Sequence, residues 1–130
     1  MIEFHLDGRS GVSPYLQIVQ QVRHALRLGL LTTGDQLPTV KDVVGHLAIN
    51  PNTVLKAYRE LERDGLVAAR PGIGTFVTRT LTDTTLVAHA PLRQELQRWL
   101  GKARRAGLDD ESIEALWRAS FRAVAEQDIA

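Results

Sequence analysis

The stretch Asn50-Pro51-Asn52-Thr53-Val54-Leu55-Lys56-Ala57-Tyr58-Arg59-Glu60-Leu61 decides how the rest of the chain is read. Asparagine is a strong helix N-cap, because its side-chain oxygen accepts from a backbone N–H that the first turn leaves unpaired. Proline suits the first helical position, where no N–H is needed. Ile49 and Val54 have the spacing of a hydrophobic staple. Val54, Ala57, Tyr58 and Leu61 recur three and four apart, which makes them the inward face of a helix that Gly65 ends as a left-handed C-cap. The outward face carries Asn52, Thr53, Lys56, Arg59 and, unusually for such a face, Leu55.

Working backward, the same Asn-Pro pair closes a preceding helix, since a residue before proline avoids the helical region. That helix begins at Thr39, with Thr39 and Asp42 in capping-box spacing. It buries Val40, Val43, Val44 and Leu47 and reaches about 48. One or two residues then join the two helices, which suits a helix-turn-helix. Further back, Thr32 to Gln36 is a polar break. Pro14, with Ser13 as N-cap, opens a first helix expected over 14–31 from its stripe of Leu16, Val19, Val22, Leu26 and Leu30. Ile2, Phe4 and Leu6 alternate with Glu3, His5 and Asp7, the pattern of a short strand or extended arm.

Working forward, Leu66 to Arg70 and Thr75 to Arg79 are β-prone runs around Pro71-Gly72-Ile73-Gly74, a strand–turn–strand signal. Residues 80–85 form a polar connector. A fourth helix carries Leu92, Leu96, Trp99, Leu100 and Ala103; it starts near 83 with a kink at Pro91, or at Pro91 itself, and Gly107 stops it. Asp109 caps a fifth helix, with Leu108 and Ile113 as its staple and Ile113, Leu116, Trp117, Phe121 and Val124 along one side. These two helices make an αα-hairpin. The expected fold is mainly α with a small β-hairpin: a winged helix-turn-helix over 1–80 and a two-helix tail over 81–130.

Bulk properties exclude more than they assign. The 130 residues suit one ordinary domain, or a small one with an appendage, and 44% hydrophobic with 24% charged residues is a globular composition. Without cysteine there is no disulfide, thiolate zinc site or cysteine nucleophile. His5, His24, His46 and His89 share no metal-ligand spacing, and no Ser/His/Asp grouping or carboxylate pair appears. Asp109, Asp110 and Glu111 are charges that a helix start favours. Gly72 and Gly74 lack the Gly-x-x-x-x-Gly-Lys surroundings of a phosphate loop. Neither an enzyme nor a metal or other cofactor is expected. No stretch approaches the roughly 18 apolar residues of a membrane span, and the start lacks a signal peptide's apolar run, so a cytoplasmic protein with no membrane partner is expected.

The net charge of +1 says little about partners. Residues 1–80 hold nine Lys/Arg against seven Asp/Glu, and residues 81–130 seven against eight, so placement matters more than total. On the outward face, Asn can pair bidentately with adenine, Thr can meet a phosphate or a thymine methyl, and Lys and Arg can bind phosphate or guanine. A first turn of this kind also presents backbone N–H groups to a phosphate. Arg70, with Gly72 and Gly74, lets a wing backbone approach a minor groove. Taken singly, these features favour a solvated helix face and a plain β-turn; in sequence they make a DNA-docking arrangement. Trp99, Trp117 and Phe121 are three of seven aromatic residues, and a two-helix hairpin cannot bury them internally. They must pack on the first domain or on a second copy, and a symmetric dimer suits a protein that reads two half-sites about one DNA turn apart.

The runs Tyr15-Leu16-Gln17-Ile18, Gly34-Asp35-Gln36-Leu37-Pro38-Thr39, Asn50-Pro51-Asn52-Thr53-Val54, Ala57-Tyr58-Arg59-Glu60-Leu61-Glu62, Gly65-Leu66 and Gly72-Ile73-Gly74-Thr75-Phe76-Val77 together resemble the GntR family of bacterial transcription regulators over roughly 12–79. The Asn-Pro-Asn-Thr-Val start and the short tail are similar to its YtrA-type subfamily. The resemblance implies a homodimeric repressor on a double-stranded, palindromic operator, often beside an ABC-transporter operon. It makes the tail the dimerisation module, through Leu92, Leu96, Trp99, Leu100, Leu116, Trp117 and Phe121. By position it implies DNA contacts at Thr39, Lys41, Asn50, Asn52, Thr53, Lys56, Arg70 and Gly72, to which the residue reading adds Arg59. Lys41 stands where the family usually has Arg, so a bidentate contact becomes a point charge. Leu55 stands at a place often polar or basic and Ile73 at one usually basic, so apolar contact or wing packing would compensate for weaker phosphate attraction. The rival reading is a winged-helix module that binds protein through the same face. A separate sensor domain needs roughly 100 residues, so an effector, of unknown identity, would bind at the dimer seam, or control would act through protein level.

Overall fold

The computed structural model describes residues 1–81 and 88–129, with side chains as far as residue 127. In order come α1 (Pro14–Arg27), α2 (Val40–Leu47), α3 (Pro51–Arg63), β1 (Val67–Arg70), β2 (Gly74–Val77), α4 (Ala90–Arg105) and α5 (Asp110–Ile129). Met1–Val87 and Ala88–Ala130 are two compact units.

In the first unit α3 is the central element, packed by α1, α2 and β1. Its inward residues Val54, Ala57, Tyr58 and Leu61 are buried as their spacing predicts, and they meet Ile18, Val22 and Leu26 of α1, Val43 of α2, and Leu37, Leu66, Val67 and Val77. Each large apolar side chain so buried stabilises the unit by about 1.5–3 kcal/mol.

α1 is shorter than the expected 14–31. It stops at Arg27 because Gly29 turns left-handed (φ +74°) and the Leu30 N–H bonds back to the Ala25 carbonyl at 2.8 Å. Leu30 therefore leaves the helical stripe and lies 60% exposed, although its spacing continues the pattern. The face that is buried runs through Ile18, Val19, Val22, Ala25 and Leu26, with Leu16 only half-buried. Ser13 occupies the N-cap position without a side-chain cap bond.

Residues 2–7 form the arm and not the strand. Two glutamines of α1 take the place of a neighbouring strand. Gln21 accepts from the His5 N–H at 3.1 Å and donates to the His5 carbonyl at 2.6 Å. Gln17, 8% exposed, accepts from the Asp7 N–H and donates to the carbonyls of Asp7 and Val12 and to the Ser10 hydroxyl. Phe4 is thereby held in the core.

The hairpin pairs Val67 with Val77 and Arg70 with Gly74. Its strands are displaced from the expected 66–70 and 75–79: Thr78 is already past the ladder, its N–H returning to the Leu66 carbonyl. The expected polar break before α2 contributes a third, one-residue strand, with Gln36 bridging to Phe76 on the outer side of β2. Hydrogen bonds from Leu37 to the Thr75 carbonyl and from Val77 to the Asp35 carbonyl frame that bridge.

In the second unit Asp109 caps α5 by accepting from the Ser112 N–H at 2.8 Å. Hydrogen bonds from Ser112 hold the Asp109 carboxyl below the usual carboxylate range. Ala103 and Ile113 are buried between the helices. Leu92, Leu96, Trp99, Leu116, Trp117, Phe121 and Val124 are exposed, Leu100 is half-buried, and the Trp117 and Phe121 rings stack at 5.1 Å. Pro91 lies in the first turn of α4; the connector at 80–85 and the alternative helix start near 83 fall largely outside the described residues.

Candidate nucleic-acid interface

The candidate interface comprises α2, the turn after it, α3 and the wing. Thr39 caps α2 by accepting from the Asp42 N–H at 3.1 Å, and Asn50 caps α3 by accepting from the Asn52 N–H at 2.9 Å. The join is three residues, Ala48-Ile49-Asn50, longer than the expected one or two. Ala48 makes the turn in the left-handed region at φ 55°, a conformation costly to a residue with a Cβ. Inside the angle of the two helices, the Tyr58 hydroxyl donates to the Pro38 carbonyl. Burial, reinforced by the Asp42 carboxylate, pushes the Tyr58 phenol well above its usual range, so it is a permanent donor. An ion pair between Arg23 and Asp64 ties α1 to the end of α3.

This frame turns the outward residues of α3 to solvent. Asn52, Lys56 and Arg59 are exposed and Thr53 is half-buried. Leu55 is also half-buried, so part of that apolar side chain belongs to the protein's own packing. Lys41 is exposed in the first turn of α2. Among the described residues the side chains of Lys41, Asn52, Thr53 and Arg59 enter no hydrogen bond or ion pair. The Asn50 side chain and the Thr39 hydroxyl oxygen hold caps, which leaves the Asn50 amide group and the Thr39 hydroxyl proton to donate outward.

The expected phosphate cradle of backbone N–H groups on α3 is not there. Pro51 has no N–H, the Asn52 N–H is taken by the Asn50 side chain, and the Thr53 N–H by the Asn50 carbonyl at 3.0 Å. The strong cap that starts the helix consumes the donors that an anion would need, and cations on side chains are left for that task.

At the wing, Arg70 lies over the Phe76 ring at 4.8 Å. Gly72 has φ +76° with nothing within 4 Å of where a Cβ would be, so its role is conformational. Ile73 is 66% exposed at the tip, which excludes wing packing as its compensation. Gln36 donates to the Ile73 carbonyl at 3.4 Å and buttresses the tip from outside. Gln36 and Tyr15 also border the candidate site, though residue type and spacing do not mark them. Both lie in the runs that carry the family resemblance, yet nothing in their spacing separates them from surface positions. Tyr15, in the first turn of α1, has its ring centroid 3.9 Å from the Lys56 Nζ.

Among the described residues no group of His, Cys, Asp or Glu is arranged to hold a metal ion, and no helix is long and apolar enough to cross a membrane.

Residues 14–77 match the family described as bacterial regulatory proteins, gntR family. The chain is 36% identical over 110 residues to the HTH-type transcriptional repressor YtrA of Bacillus subtilis, covering 83% of this chain and 84% of that protein. It is 40% identical over 103 residues to an HTH-type transcriptional regulator of Mycobacterium tuberculosis, covering 79% and 81%. Among solved structures, YtrA from Sulfolobus acidocaldarius, a GntR-family transcription factor, superposes with a TM-score of 0.55 at 26% identity, over 75% of this chain and 97% of that one.

Proposed function

This chain belongs to the GntR family of bacterial regulatory proteins, regulators and not enzymes, and on that premise we propose that it is a homodimeric repressor that binds a palindromic DNA operator. α3 enters the major groove. Asn52 reads a base edge there, and Thr53 meets the backbone or a thymine methyl. Lys41, Lys56 and Arg59 bind phosphates, with Thr39 and Asn50 donating from the two caps. Arg70 and the Gly72 turn approach the minor groove. The observation that carries this reading is that the side chains of Lys41, Asn52, Thr53 and Arg59 on α2 and α3 enter no hydrogen bond or ion pair among the described residues, on a scaffold whose caps and buried Tyr58 bond hold the two helices at a fixed angle.

The second unit supplies the dimer. Leu92, Leu96, Trp99, Leu116, Trp117 and Phe121 are exposed in the single chain, and with Leu100 they line α4 and α5. A groove of about 260 Å³ between Leu96, Leu100, Ile113 and Trp117 offers a place for a side chain of the second copy. In this proposal residues 1–80 bind DNA, residues 81–130 dimerise, and the regulated genes are an adjacent ABC-transporter operon, as the YtrA-type resemblance implies.

Selection of bound duplexes from random DNA by the purified protein, followed by fluorescence anisotropy at rising salt, tests the core of this reading. An enriched inverted repeat, bound with steep salt dependence, is expected. A protein that binds no duplex even at low salt would sink it and leave a module that recognises protein.

A further inference from the structure

We propose that Tyr15 is a positioning residue that aims Lys56 at the DNA backbone. The inference rests on the DNA-binding reading of α3 and deepens it. Tyr15 belongs to α1, and its half-buried ring packs on the core of the first unit. Lys56 belongs to α3, is exposed, and has no ion-pair partner among the described residues. Its ammonium nevertheless lies 3.9 Å from the Tyr15 ring centroid, well inside the range of a cation–π contact.

The ammonium carries three N–H donors, and a ring face engages only one side of it. The remaining donors point away from the ring and stay available to a phosphate oxygen. A lysine on a surface helix otherwise samples many rotamers and must give up that freedom on binding. The ring removes much of it beforehand. The need arises because the cap of α3 has already taken the backbone N–H groups that would hold a phosphate there. Lys56 is thus a phosphate donor that must act through a side chain, and Tyr15 gives that side chain a direction.

The test is a double-mutant cycle on the full chain, with anisotropy on a short random-sequence duplex between about 50 and 200 mM salt. Lys56→Met should flatten the log–log salt slope by up to about 0.9 if it removes one phosphate contact. Tyr15→Leu and Tyr15→Met, which keep apolar cover but lose the ring face, should each weaken binding about two- to fivefold and flatten the slope in part. Tyr15→Phe should bind as the wild type does. Either Tyr15 variant combined with Lys56→Met should bind no more weakly than Lys56→Met alone. The Met variant stands in if Tyr15→Leu does not fold, with thermal melting as the check. Additive losses in the double variant, a Tyr15→Phe as weak as Tyr15→Leu, or wild-type binding by Tyr15→Met or Lys56→Met would each overturn the inference while leaving the DNA-binding reading intact. Failure of the wild type to bind any duplex would instead remove the reading beneath it.

Discussion

The hydroxyl of Tyr58 on α3 donates a 2.6 Å hydrogen bond to the carbonyl oxygen of Pro38, the residue just before the N-cap of α2. The bond is buried and joins positions twenty residues apart, so it fixes where α2 starts relative to the middle of α3. The two helices that face DNA in our proposal are therefore set from behind.

Tyr58→Phe keeps the ring but strands the Pro38 carbonyl. It should cost about 1–2 kcal/mol of stability by denaturant unfolding. The pH dependence has a definite sign. The folded phenol titrates above the ordinary value of about 10, so its contribution is fully present below that value and is lost as pH rises beyond it. The wild type should lose stability above about pH 10 more steeply than Tyr58→Phe; parallel alkaline melting curves would contradict this.

Asn52→Ala should lose discrimination between selected and random duplexes, because a base-edge contact carries about 1–3 kcal/mol of preference. Lys56→Ala should weaken both duplexes alike and flatten the salt slope. Competition titrations at two salt concentrations separate the two effects.

Ile73→Arg places a cation at the wing tip, where the present side chain is 66% exposed. The expected result is tighter binding with a salt slope steeper by up to about 0.9. An unchanged slope would mean that the wing tip stands clear of the phosphates.

Trp117→Asp puts a charge into the proposed dimer seam at a residue 46% exposed in the single chain. Sedimentation equilibrium should show monomer, while circular dichroism shows the helices retained. A variant that sediments like the wild type would move the seam elsewhere.

Ala48→Gly relieves the left-handed strain of the turn between α2 and α3, at φ 55°. The strain costs about 1–2 kcal/mol and the freedom of glycine in the unfolded chain offsets about half of it. Thermal melting should register a net gain of about 0.5–1 kcal/mol.

How legible these features were depends on whether they are local. The α3 helix was readable because Asn50, Pro51 and the Val54–Leu61 spacing act within a few residues. Its cap was readable too, but the consequence of that cap was not: a donor satisfied by Asn50 is a donor withheld from phosphate, which only the hydrogen-bond geometry reveals. The apolar spacing reaches Leu30 only by running on past Gly29, which has already ended the helix. Gln17, Gln36 and Tyr15 act across 10, 37 and 41 positions of sequence, and no periodicity encodes a contact of that span.

The wing has one further property. A two-stranded ribbon ordinarily offers two free edges, each a template on which another chain can add a strand and begin aggregation. Here Gln36 occupies the outer side of β2, and on β1 the Ala69 N–H is taken by the Glu62 carboxylate at 2.7 Å. The outer margin of β2 is thus paired, and one outward N–H of β1 is occupied by a side chain of α3. A second chain would have to displace Gln36 to add to β2, or the Glu62 carboxylate to pair with Ala69 on β1, which makes the wing a poor seed for self-polymerisation.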